Sequence, residues 1–551
     1  MLGYLRQSVV RQGALRAVAT GRSAGARNLA RRTYATTSRA GPKGIWAEVL
    51  IIGAAAVVGS VALSQRVNLD AKPKGKSQAA TTTPSGARLI SYEELQKHTT
   101  RESCWILVQD QIYDVTNFLD THPGGPAIIL KNSGQDATKI YQSIHSAGFF
   151  ETLLKPEQHL GVVDPTTLPK VEATLTEDEL RVQEARKHVR DINLIINLDD
   201  IEEVAHQVLS KIGWSYYRST ADTGSAFDSN ITAFSRYWFR PRVLRPVREI
   251  DTSTTILGIP SSLPIFVSPA AMAKLGHPLG EINITRGAYA CGIIQGISSN
   301  ASCTVDEIAD ARQGQQPLIF QLYVNKDHKI TEDTLRKIDQ LGFKAIMLTV
   351  DAPVLGKREL DMKARGLPVI RGNNNSGGEG TALRAGVANS LGGYFDANLN
   401  WEDLAWIRSI TKLPIVIKGV QCVEDVELAL QYGCAGVLLS NHGGRQLDYA
   451  PASIDILYEL RQRRPDILDE KKLEVYCDGG FRRGTDVLKA LCLGATAVGL
   501  GRPFLFANGA YGEEGVIKVA EVIGEEIATS MRLLGVTKLS ELKPEMVTRM
   551  A

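Results

Sequence analysis

The chain has 551 residues, 44% of them hydrophobic and 22% charged, a globular composition too long for one ordinary core, so two or more folded units with tails are expected. Its formal charge of +3 hides an asymmetry: residues 1–44 hold eight Arg, one Lys and no acid, and without those nine charges the remainder stands at −6. An acidic body gives a nucleic-acid role no support, and seven scattered cysteines with no Cys-x-x-Cys pair argue for buried thiols, against a disulfide framework or a zinc site.

The Arg-, Ala- and Ser-rich residues 1–44 read as a mitochondrial targeting presequence, the alternative being a disordered basic arm. Residues 45–66 enclose the apolar run Val49 to Leu63, short against the ~20 residues of a spanning helix. A basic arm followed by such a run is expected to be a two-part leader. Its second half would halt transfer and leave the protein in the mitochondrial intermembrane space, with the leader cleaved or the apolar run kept as an inner-membrane anchor. Residues 67–87 are rich in Lys, Thr, Ser and Pro and form a linker.

Residues 88–164 make a unit small enough to want a cofactor for stability. Ser91-Tyr92-Glu93-Glu94 opens a helix in the manner of a capping box. Cys104 to Val108 and Ile112 to Val115, joined at Gln109-Asp110, predict a β-hairpin. His122-Pro123-Gly124-Gly125 follows, and His145 lies 23 residues beyond His122. Two neutral imidazoles from opposite walls of an apolar cleft could hold a haem iron from both sides, leaving no position for oxygen, so the iron would carry electrons. A zinc site is the rival, but no Cys or third His stands at ligand spacing. The string Tyr113-Asp114-Val115-Thr116, His122-Pro123-Gly124-Gly125 and His145 resembles cytochrome b5. The resemblance implies haem b, with His122 and His145 as its metal ligands. Charged, Pro-containing residues 165–190 then read as a hinge.

From 191 to 551, eight apolar runs alternate with helical stretches: 265–268, 293–297, 318–322, 345–350, 414–418, 435–439, 473–477 and 497–500. Uniformly apolar strands separated by helices require a parallel sheet covered on both faces, and eight of them suggest a (β/α)8 TIM barrel. An open doubly wound sheet is the competitor, against which no Gly-x-Gly-x-x-Gly follows the first strand. In a barrel the polar residues at the strand ends share one mouth: Ser268, Ser298, Gln321, Thr349, Lys418, His442, Asp478 and Arg502. The whole chain is thus expected to be multidomain, a small α+β haem unit followed by an α/β barrel.

Ser440-Asn441-His442-Gly443-Gly444-Arg445-Gln446 puts a titratable imidazole three residues from a fixed cation, a base beside a carboxylate clamp. Asp478-Gly479-Gly480-Phe481-Arg482 and Gly499-Leu500-Gly501-Arg502 follow the last two strands, where barrels hold phosphate. With no Walker-type Gly-Lys-Ser/Thr, a monophosphate such as that of FMN fits better than ATP. Together these segments resemble the FMN-dependent L-2-hydroxy-acid oxidising family, which includes glycolate oxidase and mandelate dehydrogenase.

Residue by residue, the resemblance implies FMN contacts at Ala271, Ser298, Gln321, Thr349, Lys418, Asp478, Gly479, Gly480, Phe481, Arg482, Gly501 and Arg502. Substrate handling maps to Tyr216, Tyr323 and Arg445, with His442 as base, Asp351 behind it and Arg358 as a second active-site arginine. Asn300 stands where relatives carry a larger apolar residue, and the stretch after Tyr217 matches the family only loosely. With the haem unit and leader added, the resemblance implies oxidation of L-lactate by FMN and electron passage through haem b to cytochrome c. The alternatives are another L-2-hydroxy acid, such as mandelate or glycolate, and an electron carrier on an inactive barrel. The family also implies a homotetramer, with the tail from Lys538 to Ala551 wrapping a neighbour.

Overall fold

The computed structural model describes residues 88–119, 122, 126–142, 150, 154–169, 175–364 and 393–550. The expected presequence, the 45–66 apolar segment, the linker, Gly124, Gly125, His145 and the Gly/Asn-rich stretch around 371–390 all lie outside the described residues. Among the described residues no helix is long and apolar enough to cross a membrane.

The first unit is a four-stranded sheet with short helices. Trp105–Val108 pairs antiparallel with Gln111–Asp114, and the intervening Gln109 and Asp110 both take left-handed φ, 52° and 64°. Two left-handed residues in a two-residue loop match the twist of the hairpin. Ser91 Oγ accepts from Glu94 N–H at 3.2 Å, the cap expected from sequence. One face of the sheet buries Ile106, Val108, Tyr113 and Val115 against Leu119, Ile129, Tyr141 and Phe150. Part of the expected hinge is ordered: Glu177–Lys187 is a helix started by a Thr176/Glu179 capping box. Its Arg181 donates to the carbonyls of Gln207 and Leu209, and its Arg186 to that of Gly509 at 2.9 Å, so this helix is fastened to the barrel.

The eight apolar runs form a closed parallel barrel: β1 Ile265–Val267, β2 Ile294–Ser298, β3 Leu318–Leu322, β4 Ala345–Thr349, β5 Ile415–Val420, β6 Gly436–Leu439, β7 Glu474–Asp478 and β8 Ala497–Leu500. Alternate side chains point inward, so Phe266, Ile294, Ile319, Met347, Val416, Leu438 and Tyr476 fill the lumen. The hairpin Thr254–Ile256 and Ile259–Ser261 closes the N-terminal end, with Ile256 joining that cluster and Leu257 N–H donating to Glu474. The outward residues pack beneath the surrounding helices in a second, larger core. The C-terminal tail pairs with its own chain: Val547–Arg549 lies antiparallel to Tyr237–Phe239.

Leu438 has no solvent exposure at the centre of the lumen. Leu438→Ala leaves a cavity that interlocked strands cannot close, and should cost about 2–5 kcal/mol in chemical denaturation followed by far-UV circular dichroism.

Candidate active site

The C-terminal ends of the strands surround a cavity with about 1200 Å³ of empty space, its open mouth included. Ser268, Ala271, Ser298, Gln321, Tyr216, Tyr323, Arg358, Lys418, His442, Arg445, Asp478, Gly479, Gly480, Phe481, Arg482, Gly501 and Arg502 all line it. Of the residues singled out from sequence in the barrel, Thr349 and Asp351 lie behind this wall, each bonded to a residue that lines it.

His442 sits in the loop after β6 with φ 59°, followed by Gly443 and Gly444, also left-handed. A left-handed histidine is strained and persists only where its surroundings hold it. Here Ser440 Oγ accepts from His442 N–H at 3.1 Å, and Gly444 fits where a Cβ would come within 2.5 Å of Phe227 N. The imidazole Nδ1 lies 2.9 Å from Asp351 Oδ1, and Tyr323 Oη lies 3.4 Å from Nε2. An ionised carboxylate accepts only, so Nδ1 carries the proton and Nε2 keeps its lone pair. Asp351 has a side chain with no exposure, against 18% for His442. Burial opposes its charge, but the attraction of His442 and Lys418 outweighs burial and holds the carboxyl below its ordinary value. Burial in turn pushes the His442 imidazole below its ordinary value, against the pull of Asp351 and with Lys418 and Arg358 pushing the same way. The site thus holds a neutral imidazole ready to take a proton, with an anion behind it to stabilise the cation formed.

Arg445 and Arg502 have no direct ion-pair partner: among the described residues no carboxylate lies within 4.0 Å of either, and Asp361 and Glu202 act on them only from farther off. Arg445 Nη1 donates to the carbonyls of Tyr216 and Tyr217, its guanidinium resting over the Tyr216 ring at 5.0 Å. Arg502 donates to Tyr217, Gly443 and Ser219 carbonyls at 2.9, 2.9 and 3.0 Å. Burial and the neighbouring Arg358 push Arg445 down to about 10, and burial with Arg445, Arg218 and Arg358 pushes Arg502 down as well. Such crowding of like charge is stable only where anions arrive. Lys418, buried in β5, also has no carboxylate within ion-pair distance among the described residues, so the ordinary salt-bridged lysine of a barrel mouth is not what stands here.

The rest of the cavity fits a hydroxylated, phosphate-bearing ligand such as FMN. Asp478 accepts from Ser268 Oγ at 3.1 Å through Oδ2, while its buried Oδ1 has no hydrogen-bond partner among the described residues. Ser298, Gln321 and Thr349 link across three strand ends, Gln321 Oε1 accepting from Ser298 Oγ at 3.2 Å and Nε2 donating to Thr349 Oγ1 at 3.0 Å. Gly479 and Gly480 are left-handed, and a Cβ on Gly501 would meet only Ser268, at 3.8 Å. Arg482 departs from the expectation of a free phosphate ligand. It lines the cavity, yet its guanidinium is bonded to Asp199 and Glu202.

Several positioning residues escaped the sequence reading. Gln446 Nε2 donates to the carbonyls of Asp351 and Val354, and its Oε1 accepts from Gly356 N–H, tying the base loop to the loop that carries Asp351 and Arg358. Asn230 and Asn441 exchange amide hydrogen bonds of 2.8 and 2.9 Å. Phe395 stacks on Tyr323 with centroids 4.1 Å apart, and Tyr394 donates to Asn300 Oδ1 at 2.9 Å. Only the chance of polar residues beside glycine-rich loops marked any of these in the sequence. In the first unit, His122 packs edge-on against Phe118, and its expected partner His145 lies outside the described residues.

Residues 205–549 match the family FMN-dependent dehydrogenase, and residues 91–164 match the cytochrome b5-like heme/steroid binding domain. Two relatives span both units. They are L-lactate dehydrogenase (cytochrome) of Wickerhamomyces anomalus, 43% identical over 83% of this chain and 79% of its own, and that of Saccharomyces cerevisiae, 42% identical over the same shares. Glycolate oxidase of Spinacia oleracea is 43% identical over 63% of this chain and 94% of its own. Among solved structures, the flavin-binding domain of baker's yeast flavocytochrome b2 superposes with a TM-score of 0.61 at 45% identity, covering 68% of this chain and 91% of that one.

Gly480→Ala would place a Cβ 2.0 Å from the Asn230 carbonyl oxygen at a φ of 83°. The loop must shift to admit it, so the purified variant should keep its fold by circular dichroism and lose flavin affinity by about tenfold or more, read as the flavin-to-protein ratio.

Proposed function

This chain belongs to the FMN-dependent dehydrogenase family and carries a cytochrome b5-like, haem-binding unit ahead of its barrel, and on that premise we propose that it oxidises L-lactate to pyruvate and delivers the electrons through haem b to cytochrome c. The observation that carries this reading is the His442–Asp351 pair facing Tyr323 in a cavity whose Arg445, Arg502 and Lys418 have no carboxylate within ion-pair distance among the described residues. When bound, FMN supplies a two-electron acceptor whose electrons a haem can take one at a time.

Arg445 grips the carboxylate of the 2-hydroxy acid in a fork, with the Tyr216 hydroxyl assisting. Burial raises the Tyr216 and Tyr323 hydroxyls above their ordinary values, so both remain donors, and Tyr323 orients the substrate's hydroxyl. His442 Nε2 takes the proton, and Asp351 stabilises the imidazolium. Arg358 adds positive charge beside Arg445. Lys418 would offset negative charge at the cofactor, which Ala271, Ser298, Gln321, Thr349, Asp478 to Arg482, Gly501 and Arg502 would hold. In the first unit His122 and His145 would hold the haem iron.

The organisation that accompanies this function is a 1–44 presequence, a 45–66 sorting segment, a 67–87 linker, a haem unit at 88–164, a 165–190 hinge and a barrel at 191–551. The leader directs the protein to the mitochondrial intermembrane space, and the family's homotetramer is the working assembly.

A second reading, another L-2-hydroxy acid, draws on Asn300. Its amide, held by Tyr394, lines the cavity beside Tyr323. Burying a phenyl ring against a hydrogen-bonded amide is unfavourable, so the methyl of lactate or the hydrogen of glycolate suits this wall better than the phenyl of mandelate. Mandelate should accordingly show the lowest kcat/KM of the three. A rank order led by mandelate would displace the lactate reading.

Anaerobic stopped-flow mixing with L-lactate tests the whole route, with flavin bleaching expected first and haem reduction after it. A flavin that bleaches beside a haem that stays oxidised would remove the relay. Because His442 must be neutral to act, kcat/KM should hold at neutral pH and fall only below the ordinary histidine value of 6.5. Asp351→Asn removes the charge that raises His442, so it should move that acid limb further down while lowering kcat about 10²-fold or more. An unchanged pH profile in that variant would separate Asp351 from His442.

A further inference from the structure

Arg482 stands where the main cavity meets a second one with about 930 Å³ of empty space, its open mouth included, and it lines both, as do Phe227, Ile231 and Gly480. Its Nε donates to Asp199 Oδ1 at 2.7 Å, its Nη2 bonds the same oxygen, and its Nη1 lies 2.6 Å from Glu202 Oε2. Asp199 and Glu202 are three residues apart on the helix Leu198–Val208, so their carboxylates leave the same face and reach one guanidinium together. Glu202 also meets Arg218 Nε at 3.3 Å, and Asp199 lies 3.6 Å from Arg483, which Glu526 holds at 2.9 Å. Deeper in the cavity, Arg502 has backbone carbonyls as its partners.

A phosphate at this end of the cavity and the two carboxylates compete for the same cation. We infer that Asp199 and Glu202 form a carboxylate latch on Arg482 and compete with the phosphate of FMN for its guanidinium. The inference rests on the FMN reading above and adds residues that set how tightly a phosphate-bearing flavin is held. The latch compensates one cation beside a cluster that includes Arg218, Arg445 and Arg502, and so lowers the repulsion within it. A phosphate held by Arg482 would share that cation with the same carboxylates, which would oppose its charge. Their effect is therefore confined to ligands that carry the phosphate.

The test uses the full-length chain freed of flavin, titrated at low ionic strength with FMN and with riboflavin, with quenching of flavin fluorescence as the readout. Asp199→Asn and Glu202→Gln should each tighten FMN by about three- to tenfold, leave riboflavin unchanged, and lose that gain as salt is raised. Asp199 is 58% exposed on its side chain, so its variant keeps the fold whatever Glu202→Gln does. FMN binding that is unchanged or weaker in Asp199→Asn overturns the latch and makes the carboxylates a scaffold that aims Arg482 at the phosphate. A wild-type chain that binds riboflavin as tightly as FMN would strike at the phosphate site itself, a different failure.

Discussion

A carboxylate buried without solvent contact governs this active site. Asp351 follows β4, Lys418 lies in the neighbouring β5, and His442 follows β6, so three adjacent strands bring an anion, a cation and an imidazole to one point. Burying Asp351 costs free energy that the charge of Lys418 and the hydrogen bond from His442 Nδ1 offset, and burial also pushes the imidazole toward its neutral form. Even the backbone yields to this arrangement. Gly419 has φ 103° where β5 is irregular, and a Cβ there would strike the Asp351 carboxyl group at 2.5 Å. Only glycine leaves room for the carboxylate to stand behind the histidine.

The remainder of the cavity is an exercise in separated charge. Lys418, Arg445 and Arg502 reach it from three different places in the fold, none with a carboxylate within ion-pair distance among the described residues, and between them the walls mix apolar residues and glycines with the polar Ser298, Gln321 and Tyr323. A site of this kind gains most from ligands that bring their own anions. Arg482 differs because the fold gives it acidic partners from a helix outside the barrel, so its charge is already neutralised within the protein.

The haem unit has a separate and smaller apolar core. Its core of Ile106, Val108, Tyr113, Leu119, Tyr141 and Phe150 is modest, and His122 is positioned by a backbone bond from its N–H to the Phe118 carbonyl at 2.8 Å. Between the units, the helix Glu177–Lys187 is bound to the barrel through Arg181 and Arg186.

Much of this was legible in the chain itself. The eight strands fall within a residue or so of their apolar runs, because a strand buried on both faces must be continuously apolar and nothing in its neighbourhood can reverse that. The strand-end residues Ser298, Gln321, Lys418, His442 and Asp478 could likewise be read, since barrel topology alone delivers them to one mouth. Tertiary structure alone decided which charges meet. Arg482 and Arg502 look equivalent in sequence, each following a glycine-rich turn, yet one is bonded to Asp199 and Glu202 from nearly three hundred residues away and the other to carbonyls near Tyr217. Gln446, Asn230 and the Phe395 ring against Tyr323 belong to the same class. Local sequence sets the period and polarity of each element, whereas electrostatic partnership falls off over a few ångströms, and that distance is fixed only when the chain has closed.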